Sequence, residues 1–212
     1  MKEYGIYLFD FDYTLADSGD GIALCFQKLL ANHGYFGVND EDIKRTIGLP
    51  LKECFPLLAD ISDPDELEAW RVEFENIADE CMIEHIPLFK NTEAMLRRLK
   101  NADKKVGIIS SKRRELVVRT LNRFDIEKYI DILIAIDDIP VPKPDPSGIF
   151  NAIAALNGDA ANVIYTGDST IDALAAKNAG VDFCAVTTGV TPKEDFLSLP
   201  HIMITDDIGN IF

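Results

Sequence analysis

Basic residues are scarce in this chain of 212: 21 lysines and arginines face 36 acids, for a formal net charge of −15. Such a surface repels nucleic-acid phosphate and anionic lipid, so neither is an expected partner, and an anionic ligand would need cations placed for it locally. Histidine and cysteine are also few, at 3 and 4. Cys25, Cys54, Cys81 and Cys184 stand far apart with no C-x-x-C pair. His33, His85 and His201 fall in no zinc, serine-hydrolase or zincin pattern. The cysteines read as small core residues of a reducing compartment, and the histidines as structural. No apolar run approaches the ~20 residues that span a bilayer, and the first residues lack the charged-then-apolar pattern of a secretory signal. The expected location is the cytoplasm.

What is present is ordinary in bulk, with 47% hydrophobic and 27% charged residues, as in soluble globular proteins. The length suits one large or two small domains with a substantial core. The unusual stretch is Leu8-Phe9-Asp10-Phe11-Asp12-Tyr13-Thr14-Leu15. Ile6 to Phe9 reads as a buried strand of a parallel sheet, and it delivers two carboxylates to the strand's carboxyl end, where open α/β sheets bind ligands. Like charges so placed push one pKa up, unless a cation lies between them or one acid is kept for proton transfer. Taken alone, Asp10 and Asp12 read equally as turn and cap residues.

The chain beyond divides in character. Asp17-Ser18 leads into a helix whose Ile22, Phe26, Leu29 and Leu30 share a face, with Gly34 as its C′ residue. Short helices are predicted over Asp40 to Thr46 and Leu51 to Leu58. Asp63 is an N-cap, Pro64 stands at N1 and Glu66 at N3 of a helix carrying the seam Leu67, Trp70, Phe74, Ile77 and Cys81. From Leu88 helices and strands alternate. Helices are predicted over Thr92 to Lys100, Arg114 to Arg123, Asp145 to Leu156 and Thr170 to Ala179, the last ending at Gly180. Strands are predicted over Val106 to Ile109, Ile132 to Ile136, Val163 to Thr166, Phe183 to Thr187 and Ile202 to Thr205. The expected class is α/β: a Rossmann-like parallel sheet core over residues 1–16 and 88–212, with a helical cap domain, residues 17–87, inserted after the first strand.

Polar residues of interest follow predicted strands. Ser110 and Ser111 come after Val106 to Ile109, and Lys143 lies in Pro142-Lys143-Pro144-Asp145-Pro146. Gly167-Asp168-Ser169-Thr170-Ile171-Asp172 follows Val163 to Thr166. Four such loops on one edge of a parallel sheet converge on one site. Each also has a local reading: Ser110 or Ser111 as an N-cap, Lys143 as a solvated loop lysine, and Ser169 with Asp172 as a capping box. Asp168 has no capping duty if Ser169 is the cap.

Together these residues resemble the four-motif signature of the haloacid dehalogenase-like superfamily: D-x-D-x-T, a Ser or Thr after the second strand, a K-P loop, and G-D-x-x-x-D. The helical insertion resembles its C1 cap, and Asp17-Ser18, Ile47-Gly48-Leu49-Pro50-Leu51 and Lys143-Pro144-Asp145-Pro146 resemble the phosphoglycolate phosphatase-like branch. The resemblance implies Asp10 as a nucleophile that forms an aspartyl phosphate and Asp12 as general acid, then base. It implies Mg²⁺ held by Asp10, the Asp12 carbonyl and Asp168, with Asp172 nearby, and a phosphoryl group held by Ser110, Ser111 and Lys143. Thr14 and, in the cap, Arg45, Lys52 and Glu53 are the candidates for substrate choice. Tyr13 departs from the pattern where glycine is common and puts a ring beside the entrance. Ser111 stands where many relatives have Asn.

The implied activity is Mg²⁺-dependent hydrolysis of a small phosphorylated metabolite, phosphoglycolate-like first. Alternatives are an inorganic pyrophosphatase, a nucleotide monophosphatase, a phosphomutase of the β-phosphoglucomutase type, and a catalytically silent binding module. The mutase branch usually has a histidine where this chain has Ile22, and dehalogenases lack the second acid, here Asp12. No signal in the sequence chooses between monomer and dimer.

Overall fold

The run Ile6-Tyr7-Leu8-Phe9 forms β1 (Ile6–Phe9), buried along its whole length, as a strand covered on both faces must be. In the computed structural model, which describes residues 2–212, the chain then leaves the sheet for α1 (Gly19–Asn32), α2 (Asp40–Lys44), α3 (Leu51–Leu58) and α4 (Pro64–Cys81). On its return, α5 (Thr92–Asn101), β2 (Lys105–Ile109), α6 (Arg114–Arg123), β3 (Ile132–Ile134) and α7 (Ser147–Ala155) follow. The chain ends with β4 (Val163–Gly167), α8 (Thr170–Ala179), β5 (Asp182–Val186), α9 (Lys193–Phe196) and β6 (Met203–Thr205). The strands form one sheet in the order β3-β2-β1-β4-β5-β6, and every pairing is parallel. The class is therefore the expected one, a Rossmann-like sheet with a helical insertion after its first strand. Two compact units result, Met1–Asp17 with Leu88–Phe212, and Ser18–Pro87.

In the sheet unit β1 lies between β2 and β4, with Phe9 opposite Ile108 on one side and Thr166 on the other. The strand order reverses here, so the carboxyl ends of three strands open on one crevice. Beneath it Leu8, Ile109 and Tyr165 join a core completed by Ile149 and the alanines 173, 175, 176 and 179 of α8. Such small side chains let a helix lie close on a sheet. Among the described residues no helix is long and apolar enough to cross a membrane.

The helical unit is built on an aromatic cluster of its own. Phe26 and Phe74 have ring centroids 4.6 Å apart, and Phe55 lies 5.7 Å from Trp70. The Asp63 carboxylate accepts from the Asp65 and Glu66 amides, so the predicted cap starts α4. The seam of α4 differs from the expected one. Trp70, Phe74 and Ala78 are buried, whereas Leu67, Ile77 and Cys81 are half-buried, because a straight helix keeps the i+4 row turned inward.

Other boundaries shift for local reasons. β3 stops at Ile134, not Ile136: Asp138 accepts the Ala135 amide and Asp137 the Arg114 amide, both at 2.7 Å, and the chain turns into a 3₁₀ helix. α7 starts at Ser147, not Asp145, because the Asp145 carboxylate takes the Ser147 amide at 2.9 Å in a turn of its own. Nothing in the sequence marked α9.

Candidate active site

β1 ends at Phe9, but the ladder does not. The Asp10 amide donates to the Thr166 carbonyl at 2.8 Å, which fixes Asp10 beside the last residues of β4. A tight turn follows, in which Tyr13 takes a left-handed φ of +56°. That conformation suits glycine, which accounts for the glycine common at this position in the pattern Tyr13 departs from. The Thr188 hydroxyl donates to the Tyr13 carbonyl. Tyr13 is buried, so its ring does not narrow an entrance as expected. Thr14 is fully buried too, and its hydroxyl donates to Asp168 Oδ1 at 3.4 Å. It supports an acid and does not line a substrate pocket.

β2 delivers Ser110, whose amide donates to the Ile134 carbonyl at 2.9 Å. Its hydroxyl oxygen accepts the Lys112 amide at 3.1 Å, so neither the buried Ser110 nor the half-buried Ser111 caps α6, where Asp137 takes the first amide. The lysine two residues on carries a role the sequence reading missed. Lys112 Nζ lies 2.7 Å from Asp12 Oδ1, with the two side chains only 5% and 14% exposed.

The loop before α7 brings in Lys143, whose ammonium is buried and bridges two acids. It lies 2.6 Å from Asp10 Oδ1 and 2.7 Å from Asp172 Oδ1. Tyr165 on β4 completes this net: its hydroxyl donates to Asp172 Oδ1 at 2.9 Å and lies 3.3 Å from Lys143 Nζ. Asp172 is also the N3 residue of α8, and its second oxygen accepts the Ser169 amide and hydroxyl at 3.2 and 2.5 Å. The predicted capping box is real, and Asp172 serves a buried lysine as well. Glycine is demanded twice nearby. A Cβ at 167 would meet the Asp172 carboxylate at 2.5 Å, and one at 189 would meet Asp168 Oδ2 at 1.9 Å.

Asp10, Asp12, Ser110, Lys143, Asp168 and Asp172 thus stand on one edge of the sheet unit. Arg45, Lys52 and Glu53 belong to the helical unit, where Arg45 pairs with Asp42 at 3.0 Å, Lys52 with Glu68 at 2.6 Å, and Glu53 is exposed. Tyr165 and Gly189 were missed because a strand tyrosine and a lone glycine carry no distinctive pattern. Lys112 left one signal, a scarce cation directly after the serines.

Carboxylate oxygens of Asp10, Asp168 and Asp172 lie within 4.8 Å of one another, all from buried residues. Burial, aided by Asp172 and Asp12 and opposed by Lys143, pushes Asp10 up to about 7. Burial with Asp172 and Asp10 raises Asp168 well above the carboxylate range. Burial alone would lower Lys143, but the Asp10 and Asp172 carboxylates outweigh it and hold the ammonium charged. Three buried acids therefore share one ammonium. An oxygen-only set short of positive charge fits a hard divalent cation, and since Asp172 has both oxygens engaged, Asp10 and Asp168 are the better-placed ligands.

Residues 7–186 match the protein family described as haloacid dehalogenase-like hydrolase. A solved structure from Bacteroides fragilis, a candidate haloacid dehalogenase-like hydrolase, is 42% identical with a TM-score of 0.96 over 99% of this chain and 100% of its own. Pyrophosphatase PpaX of Bacillus velezensis is 30% identical over 87% of this chain and 84% of its own. The N-acetylmuramic acid 6-phosphate phosphatase of Pseudomonas putida is 31% identical over 89% and 85%.

Proposed function

Because the chain belongs to the haloacid dehalogenase-like hydrolase family, we propose that it is a phosphatase acting on a small phosphorylated metabolite through an aspartyl phosphate on Asp10. The observation that carries this reading is the buried bridge from Asp10 through Lys143 to Asp172, with Asp168 beside it. A carboxylate held by a fixed ammonium keeps one oxygen aimed while the cation awaits an anionic ligand.

In the proposed reaction an Asp10 oxygen attacks phosphorus in line as the bond to the leaving oxygen breaks. Asp12 gives that oxygen a proton, then takes one from the water that attacks phosphorus and releases Asp10. Ser110, Ser111 and Lys143 hold the phosphoryl oxygens. Asp10, Asp168 and the Asp12 carbonyl would hold Mg²⁺, with Asp172 behind them bound to Lys143, Tyr165 and Ser169. The cation, when bound, offsets negative charge on the phosphoryl group. Lys112 steadies Asp12.

The motifs favour a phosphoglycolate-like substrate. Pyrophosphate is the second reading, favoured by the Bacillus velezensis relative. A cytoplasmic setting accords with four cysteines all held as free thiols. The test is phosphate release from phosphoglycolate, pyrophosphate, sugar phosphates and nucleoside monophosphates, with Mg²⁺ and with EDTA, wild type beside Asp10→Asn. Turnover that needs Mg²⁺ and is lost in the variant is expected, and the ranking of substrates names the branch. Mg²⁺ should also raise the melting temperature of the wild type but not of Asp168→Asn. Failure of the wild type on every substrate would sink the phosphatase reading, and glucose 1-phosphate isomerisation and ligand binding would then test the mutase and the silent module.

A further inference from the structure

Cys25 and Cys81 are 56 residues apart in the chain, and inside the helical unit their sulfurs come within 3.8 Å. That is van der Waals contact, and the backbone enforces it. At Gly21 α1 presses on the segment after α4 so closely that a Cβ would meet the Met82 carbonyl oxygen at 2.9 Å and that of His85 at 3.2 Å. Cys25, one turn further along α1, therefore faces the last turn of α4. The two thiols differ in access: Cys25 is fully buried, and Cys81 is partly open to solvent. Cys54 and Cys184 are also buried, and burial pushes both thiols up to about 12, far from the range where thiolates react.

We propose that Cys25 and Cys81 are a modification site, closing a reversible disulfide inside the helical unit when the protein meets a hydroperoxide. With hydrogen peroxide, the Cys81 thiolate attacks one peroxide oxygen and the O–O bond breaks. The sulfur is oxidised to a sulfenic acid, and the hydroxide released takes up the thiol proton as water. The Cys25 sulfur then attacks the Cys81 sulfur. The S–S bond forms, the S–O bond breaks, and the departing hydroxide leaves with the Cys25 proton as a second water. Two thiols lose two electrons and two protons, and one peroxide becomes two waters. A disulfide needs ~2.05 Å between sulfurs, an approach that side-chain rotation supplies. Because Cys25 lies near the start of the unit and Cys81 near its end, the bond would turn most of the unit into one covalent loop.

The test treats the native full-length protein with hydrogen peroxide, then denatures it, alkylates the remaining thiols and maps peptides by mass. Two of the four thiols should disappear, with a peptide joining Cys25 to Cys81, two hydrogens lighter than its reduced parts and cleaved by dithiothreitol. The oxidised protein should melt several degrees higher, and Cys81→Ser should keep its other three thiols. Sulfinic or sulfonic acid at Cys81 with Cys25 free would overturn the proposal. So would a cross-link through Cys54 or Cys184, or one between chains. If Cys81→Ser does not fold, the wild-type peptide map decides alone.

Discussion

Lys112 and Asp12 are 100 residues apart in sequence, yet they meet at 2.7 Å almost out of solvent. A carboxylate that must first give and then take a proton has to point the same way twice, and the lysine restricts where it points. Lys112→Met should leave KM for a phosphomonoester nearly unchanged and lower kcat by ~10-fold, a fraction of the 10²–10⁴ that a well-placed acid–base group contributes. Lys112→Arg should recover part of the loss, and an unchanged kcat in Lys112→Met would remove Lys112 from the reaction. At this scale the sequence was legible where chemistry sets the residue type. Asp10, Asp12, Lys143, Asp168 and Asp172 are costly to bury without purpose, and they follow strands that must end side by side. Lys112 and Tyr165 were not legible, because each depends on a partner that only the fold supplies. Thr14 was misassigned for the same reason, since its burial cannot be seen in a motif.

Elements were legible where they carry their own stop signs. Asp63 and Pro64 open α4, and Gly180, at φ +69°, closes α8. β3 is short because Asp137 and Asp138 take amides that a longer strand would need, a competition invisible in hydrophobic spacing. Asp131 offers a test of how such loops hold the sheet. Its carboxylate accepts the Val106 amide at 2.8 Å and pairs with Lys100 at 2.5 Å. Partial burial raises its pKa, but the Lys100 and Val106 hydrogen bonds outweigh this and hold it below the ordinary carboxylate value. A depressed folded pKa gives stability that is complete above the unfolded value of ~4 and is lost as pH falls through the folded one. Asp131→Asn should therefore cost about 1 kcal/mol at neutral pH, and the gap should close towards about pH 2 in denaturant titrations. A gap constant with pH would mean that the ion pair adds nothing.

For the whole molecule the excess of acid is the governing fact. A net charge of −15 repels itself over distances that salt shortens, from ~30 Å at 0.01 M to ~8 Å at 0.15 M. The melting temperature should rise by a few degrees over that range of NaCl. A fall would show that surface pairs such as Arg114 with Asp138 outweigh the repulsion. The division of the chain was legible at this scale too, because the helical block lacks the alternation that marks the sheet. Its junction was not. Ala16 bridges Leu88 in antiparallel fashion, the Phe89 amide donates to the Leu15 carbonyl at 3.2 Å, and the Thr92 hydroxyl donates to the same oxygen at 2.8 Å. The two chain segments are stapled to each other on the sheet side of the boundary, so the sheet does not register the length or the shape of what hangs between them. Such a junction is a socket. Another helical cassette could be spliced between Asp17 and Leu88 without rewiring a single strand, which lets one hydrolytic centre acquire new specificities by exchange of parts.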